Sequence, residues 1–127
     1  MFEQLAQYSD LGLFLTRLAV GIIFLVHGWP KMKNAKQMAS GIGWPYQAMW
    51  VQGLVEILSA LGVILGAYMQ LSAFLMAIIM VGAIYFKIFK WKIPFMTHSS
   101  TGWEFDLILL AANLTILLTG GGAMKIF

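Results

Sequence analysis

"LGLFLTRLAVGIIFLVHGW" (residues 11–29) is the stretch of sequence that decides the fold. It carries one formal charge, on Arg17, and it has about the 20 residues that a helix needs to cross the core of a bilayer. Across all 127 residues, 61% are hydrophobic and only 10% are charged. Soluble domains average about 25% charged residues, so this composition predicts an integral membrane protein.

Three further apolar segments have a similar length. The four predicted spans lie near residues 11–29, 47–66, 71–89 and 103–119. The segments between them are short, and short connections favour antiparallel neighbours. We therefore predict an all-α fold, a transmembrane antiparallel four-helix bundle, with residues 1–127 in a single domain. Pro30 is predicted to end the first span.

Six lysines lie at residues 30–46 and 87–102, whereas the turn at residues 67–70 carries no charge. The positive-inside rule predicts that both lysine-bearing loops are cytoplasmic and that both termini lie outside a plasma or inner membrane. Aromatic residues crowd the same ends, as an interfacial belt does. The topology and interfacial residues assigned on this basis are Lys31, Lys33, Lys36, Trp29 and Trp103.

Ionisable residues within the spans are the candidates for a buried site, because each costs about 2.5–3.5 kcal/mol at mid-depth by insertion scales. At a rise of about 1.5 Å per residue, antiparallel packing places Glu56 between the heights of Arg17 and His27. We therefore predict a buried Arg17–Glu56 ion pair, with His27 towards the cytoplasm. The predicted polar or ligand site comprises Arg17, His27, Glu56 and Glu104.

Each of these residues also has a purely structural interpretation. Arg17 and Glu56 fit a structural ion pair equally well, and His27 fits an interfacial histidine that donates to a helix-end carbonyl. Glu104 fits a capping box at the start of the fourth helix, and Asp106 fits a solvated residue in its first turn. No catalytic residue is assigned, and the pattern leaves open whether the chain is an enzyme.

Several chemistries are disfavoured by the residues present. The sequence has no cysteine, which excludes disulfides and thiolate metal sites within the chain. Its two histidines are far apart and belong to no ligand motif, so no metal site is predicted. No phosphate loop or dinucleotide fingerprint is present. The net charge of +3 is too small, and too confined to loops, to indicate nucleic acid, and the predicted partner is the lipid bilayer.

Three segments together resemble the DoxX family of small four-helix integral membrane proteins. They are "TRLAVGIIFLVHGWPKM" (16–32), "GLVEILSALGVILG" (53–66) and "GWEFDLILLAANLTILLTGGG" (102–122). The family pattern falls on Arg17, Gly21, His27, Gly28, Lys31, Glu56, Gly66, Gly102, Trp103 and Glu104. Gly21, Gly28 and Gly66 are its packing positions. The C-terminus departs from the family, because it ends "GGAMKIF" where many members carry a serine and an acidic residue.

The resemblance implies a link to membrane redox chemistry, because the family is named from a subunit associated with quinone-linked thiosulfate oxidation. Three hypotheses follow. The first is an accessory subunit of a redox-linked membrane complex, docked to other subunits or to further copies of itself. The second is a quinone-linked oxidoreductase component, with quinone as a cofactor and none in the chain itself. The third is a small transporter or lipid-binding protein that acts as an oligomer.

Overall fold

The computed structural model describes residues 1–126, and all the regular secondary structure in that range is helical. In chain order the elements are a 3-10 helix (Glu3–Tyr8), α1 (Ser9–Lys33), α2 (Ala35–Ile42), α3 (Tyr46–Leu65), α4 (Met69–Tyr85), a π-helical turn (Phe86–Lys90) and α5 (Trp103–Thr119). α1, α3, α4 and α5 correspond to the four predicted spans. The predicted all-α fold is confirmed.

The four long helices run up and down in turn. Lys31, late in α1, contacts Glu56 at the middle of α3, whereas Arg17, earlier in α1, contacts Val63 near the end of α3. The two helices are therefore antiparallel. Gln70, at the start of α4, likewise donates to a carbonyl near the end of α5. α1 packs mainly on α3, and α4 packs mainly on α5, which gives the predicted antiparallel bundle.

Three helical stretches are long and apolar enough to cross a membrane: Glu3–Lys33, Tyr46–Leu65 and Met69–Lys90. α5 has 17 residues and is about 26 Å long at 1.5 Å per residue, which is near the shortest length that spans a bilayer. Large apolar side chains such as Val26, Leu58 and Ile108 are exposed on the outer faces of the helices. These faces are suited to contact with lipid.

Pro30 does not end the first helix, contrary to the prediction. α1 continues to Lys33, and the backbone N–H of Asn34 donates to the Pro30 carbonyl at 2.8 Å. A proline within a helix removes one backbone donor, and the acceptor that loses it is four residues earlier, at Val26. The Val26 side chain is exposed, so the missing bond falls on the outer surface of the bundle and not on its core.

The first lysine-bearing loop also contains a short helix that was not predicted. α2 has apolar residues at helical spacing, and it buries Ala35 and Ala39 against Met49 of α3. Its polar residues, including Lys36, face outwards. α2 is too short to cross a bilayer, and its amphipathic pattern lets it cover one end of the bundle.

Two glycines set the distance between α1 and α3. A Cβ atom placed on Gly53 would lie 2.8 Å from the Gly28 carbonyl oxygen, and one placed on Gly28 would lie 3.0 Å from the Gly53 carbonyl oxygen. A side chain at either position would force the helices apart, because the opposing atom belongs to the backbone. The two backbones therefore touch here, one turn away from the ionisable residues Lys31 and Glu56.

Candidate functional site

A cavity of about 360 Å³ lies at the end of the bundle where α1 and α4 finish and where α3 and α5 begin. We call this the lysine end. Residues from all five α-helices and from the π-helical turn line the cavity, so it depends on the assembled bundle. Its ionisable lining residues are His27, Lys31, Glu56, Lys87 and Asp106.

Lys31 and Glu56 form the first ion pair of this cavity. The Lys31 Nζ atom donates to Glu56 Oε2 at 2.5 Å. The Glu56 side chain is 1% exposed, whereas the Lys31 side chain is 19% exposed. The close approach of Gly28 to Gly53 brings the two side chains together, because each charged residue lies one helical turn from one of these glycines.

Lys87 and Asp106 form the second ion pair. Lys87 lies in the π-helical turn after α4, and its Nζ atom is 2.6 Å from Asp106 Oδ2 in the first turn of α5. The same ammonium group donates to the Thr101 carbonyl at 3.3 Å and to Thr101 Oγ1 at 3.2 Å. Despite the close charge contact, Asp106 Oδ2 accepts no hydrogen bond of regular geometry from residues 1–126.

His27 lines the cavity from α1 and is exposed. Its ring packs against the ring of Phe105, with 5.5 Å between the centroids and a tilt of 53°. The imidazole makes no side-chain hydrogen bond with any residue in the range 1–126, including the helix-end carbonyl that its structural interpretation required. Its ring nitrogens are therefore available to a ligand or to water.

An aromatic cover of Trp44, Phe86 and Trp91 lies over the cavity. Phe86 meets Trp44 edge to face and stacks on Trp91, and the ring centroids are 5.6 Å apart in both contacts. Met38 and Ile42 of α2 line the same side. The connections at the lysine end thus add apolar and aromatic side chains to the lining of the cavity that holds the charged groups.

Arg17 lies away from this cavity, and the predicted Arg17–Glu56 pair is not formed. The Arg17 side chain is completely buried, and its Nε atom donates to the Val63 carbonyl at 2.7 Å. Its Nη1 atom donates to the carbonyls of Met124 at 2.6 Å and Gly121 at 3.2 Å. The last carbonyls of a helix lack intrahelical donors and carry the negative end of its dipole, so the guanidinium group caps α3.

The C-terminal segment, residues 120–126, folds back over this end of the bundle, which we call the tail end. Asp10 Oδ1 accepts a hydrogen bond from the Ala123 N–H at 3.1 Å, and the Ile126 N–H donates to the Leu65 carbonyl at 3.1 Å. Gly66, at which α3 ends, has a φ of +88°, which favours glycine. The segment and Arg17 therefore close the end opposite the lysine end.

Glu104 is exposed and does not line the cavity. The capping box is not formed either, because the N-cap of α5 is Gly102 and no side chain caps it. Asp106, which was interpreted as solvated, is buried and paired with Lys87. Two residues along a helix correspond to about 200° of rotation, so Glu104 and Asp106 point to opposite sides of α5.

The interfacial residues surround the lysine end. Lys33 and Lys36 are exposed, and Lys36 lies 5.1 Å from the centre of the Tyr46 ring. Trp29 is exposed, and Trp103 packs edge to face against another aromatic ring. Within residues 1–126, no group of three or more histidine, cysteine, aspartate or glutamate residues could hold a metal ion.

The fold and the cavity define a small helical membrane protein with charged groups buried at one end of its bundle. The DoxX family model matches residues 12–91, which include most of α1, all of α2 to α4 and the π-helical turn, and the chain belongs to the DoxX family. This match confirms the predicted family. α5 lies outside the matched range.

One curated relative comes from Bacillus subtilis (strain 168) and carries the name "Putative oxidoreductase CatD". It is 33% identical over 114 residues, and the alignment covers 87% of this chain and 81% of the relative. No solved structure gives a significant match to the chain.

Proposed function

We propose that this protein is a membrane component of a redox-linked system, and that it binds a small ligand with a quinone-type head group in the cavity at the lysine end. The observation that carries the proposal is that two lysine–carboxylate pairs and several aromatic side chains line one cavity. The oxidoreductase name of the B. subtilis relative supports the redox link.

The residues of the cavity fit such a ligand. A quinone head group is a flat ring that carries carbonyl acceptors, and it requires N–H donors beside apolar surfaces. Lysine and histidine side chains supply donors, and Phe86 and Phe105 supply aromatic surfaces. The deeper wall contains the buried side chains of Phe24, Met80 and Leu109. The volume is within the range of about 300–1,000 Å³ that is typical of small-molecule sites.

The ligand and the protein would have different roles in this site. A bound quinone would supply the capacity to accept electrons, and the side chains of the protein would bind and orient it. One ion-paired lysine would keep its N–H donors directed at a ring oxygen, and the other ion pair would hold the connections at this end of the bundle in place. The aromatic cover would exclude water from the ring oxygens. An isoprenoid tail would leave the cavity along the apolar surfaces of the helices.

We also propose that the lysine end faces the cytoplasm. Four exposed lysines surround this end, and the positive-inside rule associates such residues with the cytoplasmic side. They are Lys33, Lys36, Lys90 and Lys92. Labelling of a cysteine introduced at Lys92 by a membrane-impermeant maleimide tests the orientation. Labelling only after the cells are opened supports the proposal, and labelling of intact cells contradicts it.

A cavity-filling variant tests the ligand site. Gly82 lines the cavity, and a Cβ atom placed there would meet no atom within 4 Å, so the position has room for a side chain and Gly82→Leu is expected to add bulk beside the ligand. Gly12 in α1 is equally unobstructed but does not line the cavity, which makes Gly12→Leu a matched control. The probe is a short-chain ubiquinone or menaquinone analogue, titrated against the purified protein in nanodiscs.

We expect Gly82→Leu to weaken binding of the analogue by about tenfold or more, because it displaces the head group. Gly12→Leu should bind it as the wild type does. Equal affinity in the wild type and both variants would place the analogue outside the cavity and contradict the proposal.

An accessory role within a larger complex stays a prediction. We propose, as its test, purification from native membranes in mild detergent. Recovery of the protein together with another membrane subunit supports the role. Recovery as the free chain under every mild condition contradicts it.

A further inference from the structure

We infer that Lys31, and not Lys87, is the lysine that donates to the head group of the ligand, so that Lys31 determines which ligands the cavity accepts. The inference rests on the proposed function. Both lysines line the cavity and both are paired with a buried carboxylate. The difference between them is in the number of contacts that their ammonium groups already make and in the exposed fraction of their side chains.

Lys31 has unused hydrogen-bonding capacity. A lysine ammonium group carries three N–H donors. Among residues 1–126, Glu56 is the one hydrogen-bond partner of the Lys31 ammonium, at 2.5 Å. The Lys31 side chain is also 19% exposed and lines the cavity, so two donors remain for an acceptor that enters it.

Lys87 makes more contacts than Lys31, namely two hydrogen bonds to Thr101 and one close charge contact with Asp106. Asp106 Oδ2 lies 2.6 Å from its Nζ atom, and the carbonyl and hydroxyl oxygens of Thr101 lie at 3.3 Å and 3.2 Å. These contacts attach the π-helical turn to the start of α5, across the connection at residues 91–102. A ligand that took a hydrogen bond from Lys87 would compete with these contacts. The role of Lys87 is therefore structural, because it holds the π-helical turn against the start of α5.

Glu56 acts as the positioning residue for Lys31. Its carboxylate is almost completely buried, and it fixes the ammonium group beside the cavity. It also balances the charge of Lys31, so the pair favours an oxygen acceptor on a neutral or weakly acidic ring and disfavours a cationic ligand. The class of ligand that results is a flat ring with a carbonyl or phenolate oxygen directed at Lys31.

Two double variants separate the lysines. Lys31→Met with Glu56→Gln removes the first ion pair, and Lys87→Met with Asp106→Asn removes the second, and neither leaves a buried charge without a partner. We expect the first double variant to bind the quinone analogue about tenfold or more weakly, as the loss of a charge-assisted hydrogen bond implies. The second should bind within about threefold of the wild type, since Lys87 makes no bond to the ligand.

A pair of milder variants keeps the test decisive if a double variant does not fold. Lys31→Arg and Lys87→Arg both retain the charge and the ion pair, but they replace the ammonium group with a planar guanidinium group. We expect Lys31→Arg to alter the affinity for the analogue by about threefold or more and Lys87→Arg to leave it unchanged. The reverse order would overturn the assignment.

The outcomes distinguish this inference from the proposed function. If Gly82→Leu loses binding while the Lys31–Glu56 double variant retains it, the ligand occupies the cavity and the assignment of Lys31 is wrong. If both double variants lose binding equally, the assignment is also wrong, because the lysines would then be equivalent. If Gly82→Leu binds as the wild type does, the proposed function fails.

Discussion

At the lysine end of the bundle two partly exposed lysines are paired with two buried carboxylates beside a cavity, whereas at the tail end a single arginine is buried among backbone carbonyls. Arg17 donates to carbonyls of α3 and of the C-terminal segment, and it is completely enclosed. Lys31 has one partner and remains partly exposed. The comparison teaches that two charged side chains within one bundle can differ in how many of their N–H groups already donate to the protein. Arg17 donates to several carbonyls, whereas Lys31 has N–H groups left for a ligand.

The largest effect that we expect is on stability, at the tail end. Arg17→Met would leave the buried carbonyls of Val63 and Gly121 without their donor, and each unsatisfied buried group costs about 1–3 kcal/mol. The free energy of unfolding should therefore fall by about 4 kcal/mol. Denaturant titration in mixed micelles measures the change. Ligand affinity per folded molecule should be unaltered, and a selective loss of affinity would contradict the separation of the two ends.

The next effect concerns the Lys31–Glu56 pair. Lys31→Met alone leaves a buried carboxylate without its partner, which costs about 3 kcal/mol or more. Glu56→Gln in the same chain should recover much of this loss, because no charge is then stranded. A double-mutant cycle on the free energy of unfolding measures the coupling. If the two losses are simply additive, the ion pair contributes nothing to the fold.

A smaller effect is expected where α1 meets α3. Gly53→Ala places a methyl group against the Gly28 carbonyl oxygen, and overpacking of this kind costs about 1–3 kcal/mol. Gly12→Ala is the control, because the same change in α1 meets no atom and favours the helix by about 0.5–1 kcal/mol. Thermal unfolding followed by circular dichroism compares them. A Gly53→Ala protein as stable as the wild type would mean that the helices do not touch there.

The smallest effect is expected from a single contact of the C-terminal segment. Asp10→Ala removes the acceptor of the Ala123 N–H, and one such hydrogen bond contributes about 1 kcal/mol. Proteolysis of the C-terminus should accelerate in this variant, whereas ligand affinity at the lysine end should stay the same. If cleavage of the C-terminus is no faster, Asp10 does not hold the segment in place.

The spans could be predicted closely because length and hydropathy are local properties. The prediction at residues 47–66 agrees with α3 (Tyr46–Leu65), and that at residues 103–119 agrees with α5 (Trp103–Thr119). α2 was missed, although its apolar residues have helical spacing, because the prediction considered only segments long enough to cross a bilayer. The end of α1 was misplaced because proline was assumed to stop a helix, which it need not do where the lost hydrogen bond lies on the outer surface.

The residues predicted for a buried polar site lie in different places in the structure. His27 and Glu56 line the cavity, but Arg17 and Glu104 do not. The sequence does place Lys31 four residues after His27 on one side of α1, and this spacing could have suggested Lys31 as a partner of Glu56. Lys87 and Asp106 gave a weaker signal, because each lies at a helix end where a solvated side chain is the simpler interpretation.

The sequence by itself determined a membrane bundle of four antiparallel helices with its lysines concentrated at one end, because hydrophobic length and loop charge act segment by segment. Only the tertiary structure decided that Glu56 is paired with Lys31, that Asp106 is paired with Lys87 and that Arg17 caps α3. The physical reason is that successive side chains are about 100° apart around a helix axis. A small rotation of one helix about its own axis therefore brings a different side chain to face the neighbouring helix. The close contact of Gly28 with Gly53 fixes that orientation for α1 and α3.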